Sequence, residues 1–187
     1  NFRNAPAFGL APMEEKTLSQ TWEKGIGSLP SSSWSFSWTG TGWTGQPLLV
    51  QWDDAVRNIM NIRPEKKSKE DLVEVIYATL DGHIYFLDID DGQPTRDPIK
   101  IGAPIKGTPC VDPRGYPVLY VGQGDKNDNV NGIGFRVYNL IDQSLLLYRN
   151  CSTDPSYRTS WSACDSSPLF DAAADTLGDL PPQAIDE

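Results

Sequence analysis

The stretch that decides the fold runs from Val75 to Gly92 and reads VIYATLDGHIYFLDIDDG. β-Branched and aromatic residues dominate both halves of it, which is typical of strands. Asp81-Gly82 separates the halves and is a strong short-range hairpin signal, because both central residues of a type I′ turn need positive φ. Asp90-Asp91-Gly92 ends the second strand in a similar way. The stretch therefore predicts a β-hairpin with a type I′ turn at Asp81-Gly82.

Similar strand signals recur along the chain. Further strands are predicted at 47–52, 105–111, 118–122, 135–141 and 144–148, with a turn near Asp142-Gln143. Helical periodicity is confined to residues 53–62, where it predicts one or two helical turns, with the end of a strand running into a loop as the alternative. About ten short strands at this spacing predict an all-β fold built of four-stranded antiparallel blades.

A proline marks the start of three of these units. Gln46-Pro47, Thr108-Pro109 and Ser167-Pro168 each open a predicted strand, and their prolines are 62 and 59 residues apart. Each blade is too small to bury both of its faces without neighbours. The spacing therefore predicts a repeat protein whose units pack against one another.

The run 75–92 resembles the repeats of pyrroloquinoline-quinone-like (PQQ-like) β-propellers. Trp22-Glu-Lys-Gly25 is similar to the blade edge of that family, and Thr108-Pro109 and Ser167-Pro168 are similar to its inner strands. The resemblance covers about residues 18–177. It implies a β-propeller, usually exported or periplasmic, that serves either as a quinoprotein dehydrogenase or as a non-enzymatic scaffold.

The resemblance also suggests the organisation of the chain. We expect propeller blades over residues 17–177, preceded by an N-terminal arm at 1–16 and followed by a tail, or the start of a missing blade, at 178–187. These blades form a partial ring of about three, and we favour a fragment of a longer protein. Its uncovered strand edges are expected to pair with another protein chain or with the rest of the propeller.

Departures from the family pattern favour its non-catalytic branch. Asp91-Gly92 stands where the resemblance implies Thr-Gly, and Arg96 stands where it implies a docking Trp. The quinoprotein dehydrogenases also carry a ring of adjacent cysteines, and this sequence has no Cys-Cys pair. We therefore expect no quinone and no enzymatic activity. The alternative is a quinoprotein-like oxidoreductase or a carbohydrate-active propeller enzyme.

The charge of the chain narrows the class of partner. Sixteen Lys and Arg against 25 Asp and Glu give a net charge of −9, which opposes binding to nucleic acids. The basic run Arg63–Lys69 is interpreted as a solvated loop, since Glu70 and Asp71 follow it directly. No apolar run is long enough to span a membrane. We expect an extracellular, cell-surface or periplasmic protein that binds another protein or a glycan.

Aromatic residues form the most unusual pattern. Trp34, Phe36 and Trp38 alternate with serines, so a strand would present all three on one face. Trp43 follows them, and Trp161 lies near another blade start. We favour packing between blades as their role. A stacking platform for sugar rings or another flat ligand is the alternative, and it makes these five residues the candidate ligand-binding site.

An asparagine-rich segment is the candidate metal site. Asp125, Asn127, Asn129 and Asn131 place oxygen atoms at alternating positions, as a calcium loop does. Three of these side chains are neutral, and the bidentate Glu of such loops is missing. We favour a hairpin loop with left-handed residues, and calcium is the alternative.

His83 and the cysteines are interpreted as structural. His83 is the only histidine, so a catalytic triad or a His-rich zinc site would have to be built around it. Cys110, Cys151 and Cys164 have no metal-binding spacing. We favour buried free thiols, with a Cys151–Cys164 bridge as the alternative.

Overall fold

The computed structural model describes residues 17, 19–31, 34–40, 45–123, 133–156, 164 and 167–178. They contain two short helices, α1 (Asp54–Ile59) and α2 (Pro64–Lys67). The strands are β1 (Ser28–Pro30), β2 (Ser37–Thr39), β3 (Leu48–Gln51), β4 (Val73–Ala78), β5 (His83–Asp88), β6 (Ile99–Lys100), β7 (Cys110–Val111), β8 (Val118–Gly122), β9 (Gly134–Asn139), β10 (Leu145–Asn150), β11 (Leu169–Asp171) and β12 (Thr176–Gly178).

Two four-stranded antiparallel sheets make up most of the described chain. Sheet 1 has the order β3-β4-β5-β6, and sheet 2 contains β7 to β10, also in chain order. β1 pairs with β2, and β11 pairs with β12. The prediction of an all-β protein with four-stranded antiparallel sheets is therefore confirmed. The described strands form no closed ring.

The two sheets share their pairing register. Leu48 of β3 pairs with Ile76 in sheet 1, and Cys110 of β7 pairs with Tyr120 in sheet 2. Leu169 begins β11 in the same way, and all three strands start directly after a proline. Proline suits the first residue of a strand because it has no N–H to donate to the ladder. The strand starts predicted at the three prolines are confirmed, but the strand predicted over 105–111 is shorter, because β7 begins only at Cys110.

The starts of β3, β7 and β11 lie side by side and are joined by equivalent hydrogen bonds. The backbone N–H of Gln46 donates to Thr108 Oγ1 at 2.9 Å. The backbone N–H of Thr108 donates in turn to Ser167 Oγ at 2.9 Å. Each of these residues directly precedes the proline of its unit. The same contact thus joins the first unit to the second and the second to the third.

The turn after β5 and the turn after β9 also share a conformation. The side chain of Asp88 accepts a hydrogen bond from the backbone N–H two residues further on at 3.1 Å, and Asn139 does the same at 2.9 Å. Four residues after each of them the backbone enters the left-handed region, with φ of 66° at Gly92 and 64° at Gln143. The turn predicted near Asp142-Gln143 is confirmed.

The larger of the two hydrophobic clusters in the described part of the chain lies between the two sheets. Sheet 1 contributes residues of β4 and β5, and sheet 2 contributes residues of β8 and β9, all at most 6 % exposed. Burial of this apolar surface is the main favourable term that holds the sheets together. The principal contributors are Ile76, Ala78, Ile84, Phe86, Leu119, Val121 and Tyr138.

A buried ion pair crosses this core. Glu74 and Arg96 are 0 % and 1 % exposed, and Arg96 Nε donates to Glu74 Oε1 at 3.0 Å. Arg96 Nη1 donates to the carbonyl oxygen of Leu140 in sheet 2 at 2.6 Å. The guanidinium carbon lies 4.4 Å from the centroid of the Phe86 ring. Trp52 Nε1 donates to the other carboxylate oxygen of Glu74 at 3.0 Å.

In the preceding unit, Trp22 makes the contact that corresponds to the one between Arg96 and the carbonyl oxygen of Leu140. Its indole N–H donates to the carbonyl oxygen of Ile89 at 2.6 Å, and a Cβ built on Gly92 would lie 2.5 Å from its ring. Ile89 directly follows Asp88, as Leu140 directly follows Asn139 in the equivalent turn. Arg96 therefore docks on sheet 2 at the carbonyl that matches the one Trp22 uses on sheet 1.

The turn type predicted for Asp81-Gly82 is wrong. Gly82 has φ of 79°, but Asp81 does not lie in the left-handed region. Thr79 to Gly82 form a four-residue loop instead, closed by a 3.0 Å hydrogen bond from Thr79 N–H to the carbonyl oxygen of His83. The Asp81 carboxylate is buried and accepts hydrogen bonds, so its side-chain contacts override the two-residue turn.

The connection between β3 and β4 contains both helices. It spans residues 52–72, whereas residues 112–117 suffice between the equivalent strands β7 and β8. α1 confirms the predicted one or two helical turns. α2 overturns the interpretation of Arg63–Lys69 as a solvated loop, because Pro64 begins a helix there and Lys66 and Lys69 bind acidic side chains of sheet 1.

The favoured assignment of free thiols to Cys151 and Cys164 is also wrong, because a disulfide joins them. Cys151 N–H donates to Ile133 O at 2.9 Å, and Cys164 N–H donates to Gln123 O at 2.9 Å. Ile133 and Gln123 flank the connection between β8 and β9, so backbone pairing brings the two cysteines together. Cys110 is free.

The predicted arm at 1–16 lies outside the described residues, and so does the predicted tail except for Gly178, which ends β12.

Substitution of Arg96 by Ala tests the buried ion pair. The change leaves the Glu74 carboxylate buried without its cation, so we expect the free energy of unfolding to fall by about 3–5 kcal/mol. Equilibrium urea unfolding measures this. The control is Arg63→Ala, since Arg63 pairs at 2.8 Å with the exposed Asp97 and its loss should cost less than about 1 kcal/mol. Equal losses for the two variants would contradict the assignment.

Thiol titration tests the disulfide. In denaturant without a reducing agent, one thiol per chain should react, and after reduction three should react. Reduction should lower the free energy of unfolding by about 3 kcal/mol, because the bridge closes a short loop in the unfolded chain. Cys110→Ser should abolish the single reactive thiol. Three reactive thiols before reduction would show that the bridge is absent.

Candidate functional site

An exposed row of aromatic rings is the most distinctive surface feature of the described chain. Trp34 and Phe36 are 65 % and 47 % exposed, and their ring centroids lie 6.5 Å apart with an angle of 24° between the planes. Trp38 follows on β2, 5.0 Å from Phe36 and turned by 74°. We call these three residues the aromatic ladder. Both Trp34 and Phe36 face solvent in the described chain, and packing between blades as their role stays a prediction.

The hairpin of β1 and β2 that carries the ladder is fixed to the loop between β4 and β5. Leu80 N–H donates to the carbonyl oxygen of Gly40 at 3.1 Å, and Gly27 N–H donates to Asp81 Oδ2 at 3.1 Å. The Lys106 ammonium lies 5.1 Å from the centroid of the Trp38 ring. The ladder is therefore presented by a hairpin that is anchored on both of its strands.

Asp81 is the centre of a polar cluster beneath this hairpin. Its carboxylate accepts a hydrogen bond from the Tyr85 hydroxyl at 2.6 Å and another from the Thr79 hydroxyl, and His83 Nδ1 lies 3.2 Å from Oδ2. Burial alone would raise the pKa of Asp81, but the hydrogen bonds from Thr79 and Tyr85 hold it below its usual value. Burial and the neighbouring carboxylate raise the pKa of Tyr85 to about 12.

These groups are poorly arranged for catalysis. Tyr85 stays protonated at neutral pH, and the lowered pKa of Asp81 makes it a weak base. Its oxygens already accept hydrogen bonds from Gly27, Thr79 and Tyr85. The cluster anchors the hairpin and includes His83, whose structural role stays a prediction.

An apolar groove of about 710 Å³ lies where the starts of β3, β7 and β11 meet. Burial raises the pKa of the Cys110 thiol in its wall. The Thr108 hydroxyl is engaged by the backbone of Gln46, so the polar groups of the groove take part in the contacts between strands. Its apolar lining consists of Pro47, Leu48, Leu49, Val50, Pro109, Val111, Pro113, Leu169 and Phe170.

The acidic turn after β5 is occupied by lysines from the helical connection. Lys66 and Lys69 each place an ammonium nitrogen 2.8 Å from the Asp88 carboxylate, and Lys66 also reaches Asp91 at 2.6 Å. Burial would raise the pKa of Asp88, but hydrogen bonds from the two lysines lower it to about 2. Two cations thus hold the turn closed where a divalent metal would otherwise compete. Across the described ranges, no group of three His, Cys, Asp or Glu residues has a metal-binding arrangement.

Part of the predicted site lies outside the described residues. This holds for two members of the candidate ligand site, Trp43 and Trp161, and for the four candidate calcium ligands Asp125, Asn127, Asn129 and Asn131. The structure brings Trp34, Phe36 and Trp38 together, but only Trp38 lies on a strand, so the single strand expected to present all three on one face is wrong.

Sequence reasoning missed the residues around the ladder. Lys106 lies far from Trp38 along the chain, and Asp81 was interpreted as a turn residue rather than an anchor for Gly27. The spacing of the units was the signal that could have placed Lys106 near the ladder. Residues just before Thr108-Pro109 must lie near those just before Gln46-Pro47, because equivalent strand starts lie side by side.

Comparisons with protein-family models and with curated proteins find no match for this chain. In the described part of the chain, no helix has the length and apolar character needed to cross a membrane.

The ion pairs of Asp88 with Lys66 and Lys69 predict that part of the free energy of unfolding is lost in acid. Because the folded pKa lies near 2 rather than 3.8, the stabilisation is complete above about pH 4 and is lost as the pH falls toward 2. Asp88→Asn should lower the free energy of unfolding at pH 7 by about 2 kcal/mol and flatten its decline between those values. Urea unfolding across this pH range measures both effects.

The matched control for Asp88→Asn is Asp97→Asn, since the Asp97 side chain is exposed and pairs with one arginine. That variant should keep the wild-type pH profile. A profile for Asp88→Asn that is parallel to the wild type would show that the lysines do not stabilise the ionised Asp88.

Proposed function

We propose that this chain forms blades of an exported PQQ-like β-propeller that acts as a non-catalytic binding module for an extracellular protein or glycan. The observation that carries the proposal is the aromatic ladder, which is exposed on a hairpin fixed at both strands. Exposed apolar patches of this kind mark interaction sites, because leaving them in water is costly. Scaffolding by the same surface is included in the proposal.

The propeller arrangement is supported by the way the units repeat. Equivalent residues, Gln46 and Thr108, each donate to the matching hydroxyl of the following unit. Trp22 and Arg96 dock on matching carbonyl oxygens of the following sheet. A contact that repeats from each unit to the next with the same partners is what a ring of blades requires.

Export is supported by the Cys151–Cys164 disulfide. Disulfides persist in oxidising environments such as the periplasm and the extracellular space, and they are rare where thiols are kept reduced. We therefore assign the protein to an extracellular, cell-surface or periplasmic location. This location also fits partners such as a glycan or the surface of another protein.

A non-catalytic role is supported by the contacts that this chain makes at the positions where the resemblance implies functional residues. Arg96, at the position where the resemblance implies a docking Trp, is committed to Glu74 and Leu140 inside the core. The Asp81 cluster uses its hydrogen-bonding capacity to hold Gly27. The competing function is a quinoprotein-like oxidoreductase or a carbohydrate-active enzyme, and the cofactor experiment below separates the oxidoreductase from the binding module.

Thermal unfolding with added pyrroloquinoline quinone and Ca²⁺ tests the proposal. A ligand that binds the native state raises the melting temperature, so a binding module without this cofactor should show no shift. The visible spectrum of the repurified protein should also lack quinone absorbance. A clear stabilisation, or retained quinone absorbance, would favour the oxidoreductase. Hydrolysis of an oligosaccharide by the chain would favour the carbohydrate-active enzyme.

A further inference from the structure

The segment that carries the aromatic ladder contains no charged residue. From Gly25 to Trp52 there is no Asp, Glu, Lys, Arg or His, although the chain has 41 acidic and basic residues in all. The same segment holds four of the six tryptophans and nine of the Ser and Thr hydroxyls. A long uncharged stretch, rich in aromatic rings and hydroxyl groups, interrupts a sequence in which 22 % of the residues are charged.

The rings of the ladder are spaced like a row of subsites. Successive centroids are 6.5 and 5.0 Å apart, which is about the length of one sugar ring along a polysaccharide chain. Aromatic rings bring large contact areas with only two side-chain torsions to fix, so little entropy is lost on binding. The anchored hairpin keeps their relative positions before a ligand arrives.

The surroundings of the rings favour a neutral, hydroxyl-rich ligand. Ser31, Ser35, Ser37 and Thr39 flank them, whereas the core of a protein–protein interface is more apolar. An acidic polysaccharide would be repelled by the net charge of −9. Lys106, a cation beside the ladder, lies over the face of Trp38.

The orientation of the rings narrows the form of the ligand. The planes of Trp34 and Phe36 differ by 24°, but Trp38 is turned by 74° from Phe36. Three rings in this arrangement do not make a flat platform, so the flat face of a crystalline polysaccharide cannot contact all of them. A single chain in solution can twist to follow them.

We propose that the aromatic ladder binds a soluble, neutral polysaccharide, with sugar rings against the exposed Trp34 and Phe36, while the half-buried Trp38 supports Phe36 from the side. The inference rests on the proposed function, and it selects the glycan over the protein as the partner. The apolar C–H faces of successive sugars contact the aromatic rings, and their hydroxyl groups remain in water or meet the flanking serines. Binding through neutral stacking is insensitive to salt, unlike binding through charges.

Native affinity electrophoresis tests the inference. The 187-residue chain is run in gels that contain mixed-linkage β-glucan, xyloglucan or galactomannan as neutral probes, and alginate or heparin as anionic probes. We expect at least one neutral probe to retard the chain at low and at high NaCl, with neither anionic probe doing so. Trp34→Ala and Phe36→Ala should each weaken binding about 2- to 10-fold.

Two further variants act as controls. Trp34→Phe keeps an aromatic ring in the ladder and should retain binding near the wild-type level. Tyr116→Ala removes a ring that is 58 % exposed in the turn between β7 and β8, away from the ladder, and should change nothing. Circular dichroism of each variant shows that the fold is intact.

Three results would overturn the inference. The first is retardation only by the anionic probes with strong dependence on salt. The second is retardation by a neutral probe that the ladder variants do not reduce. The third is no retardation by any probe. In each case the binding-module proposal is judged separately by the cofactor experiment, which does not involve the ladder.

Discussion

The described structure depends on one buried ion pair, between Glu74 and Arg96. Both groups are removed from water, which is costly unless the geometry is good and the remaining polar atoms are satisfied. Here the carboxylate also accepts a hydrogen bond from the indole of Trp52, and the guanidinium donates to the carbonyl oxygen of Leu140. The pair therefore joins the second strand of sheet 1 to sheet 2, and hydrophobic packing alone would leave their relative position less tightly specified. This is a role in specificity, since an apolar pair of similar volume could match its stability.

The contact between Arg96 and Leu140 shows how the same contact can be repeated in successive units with different residues. Trp22 docks on the carbonyl oxygen of Ile89, and Arg96 docks on that of Leu140. The indole and guanidinium groups share little except a flat shape and an N–H donor. The contact at this position uses both of these properties. What repeats is therefore the geometry of the acceptor turn, which is set by the left-handed residue that ends it. Two different residues can therefore make the same contact in successive units, provided that each side chain has the flat shape and the N–H donor.

Sequence reasoning could predict the features that local chemistry determines. The prolines before Leu48, Cys110 and Leu169, and the turn at Gln143, follow from backbone preferences that act over a few residues. The turn type at Asp81 was wrong because its carboxylate bonds to Gly27, 54 residues away along the chain. The lysine contacts of Asp88 were missed, and the disulfide was only the alternative, for the same reason, since each joins segments that only the folded sheets bring together. The alternation of the ladder was readable from the sequence, but the exposure of its rings was not, because exposure depends on what the neighbouring units cover.

Charged residues have different roles around the two sheets and around the hairpin of β1 and β2. Around the sheets, acidic and basic groups form close pairs such as Lys66 with Asp88 and Arg96 with Glu74, and these fix turns and join sheets. Two charged groups contact the hairpin of β1 and β2, the Asp81 carboxylate that accepts its backbone N–H and the Lys106 ammonium over the Trp38 ring, and neither of these contacts involves Trp34 or Phe36. A surface that must meet a neutral ligand benefits from this separation, because a nearby charge would hold water that binding has to displace. Anchoring the hairpin through one buried carboxylate fixes the rings while keeping the charge out of contact with the ligand.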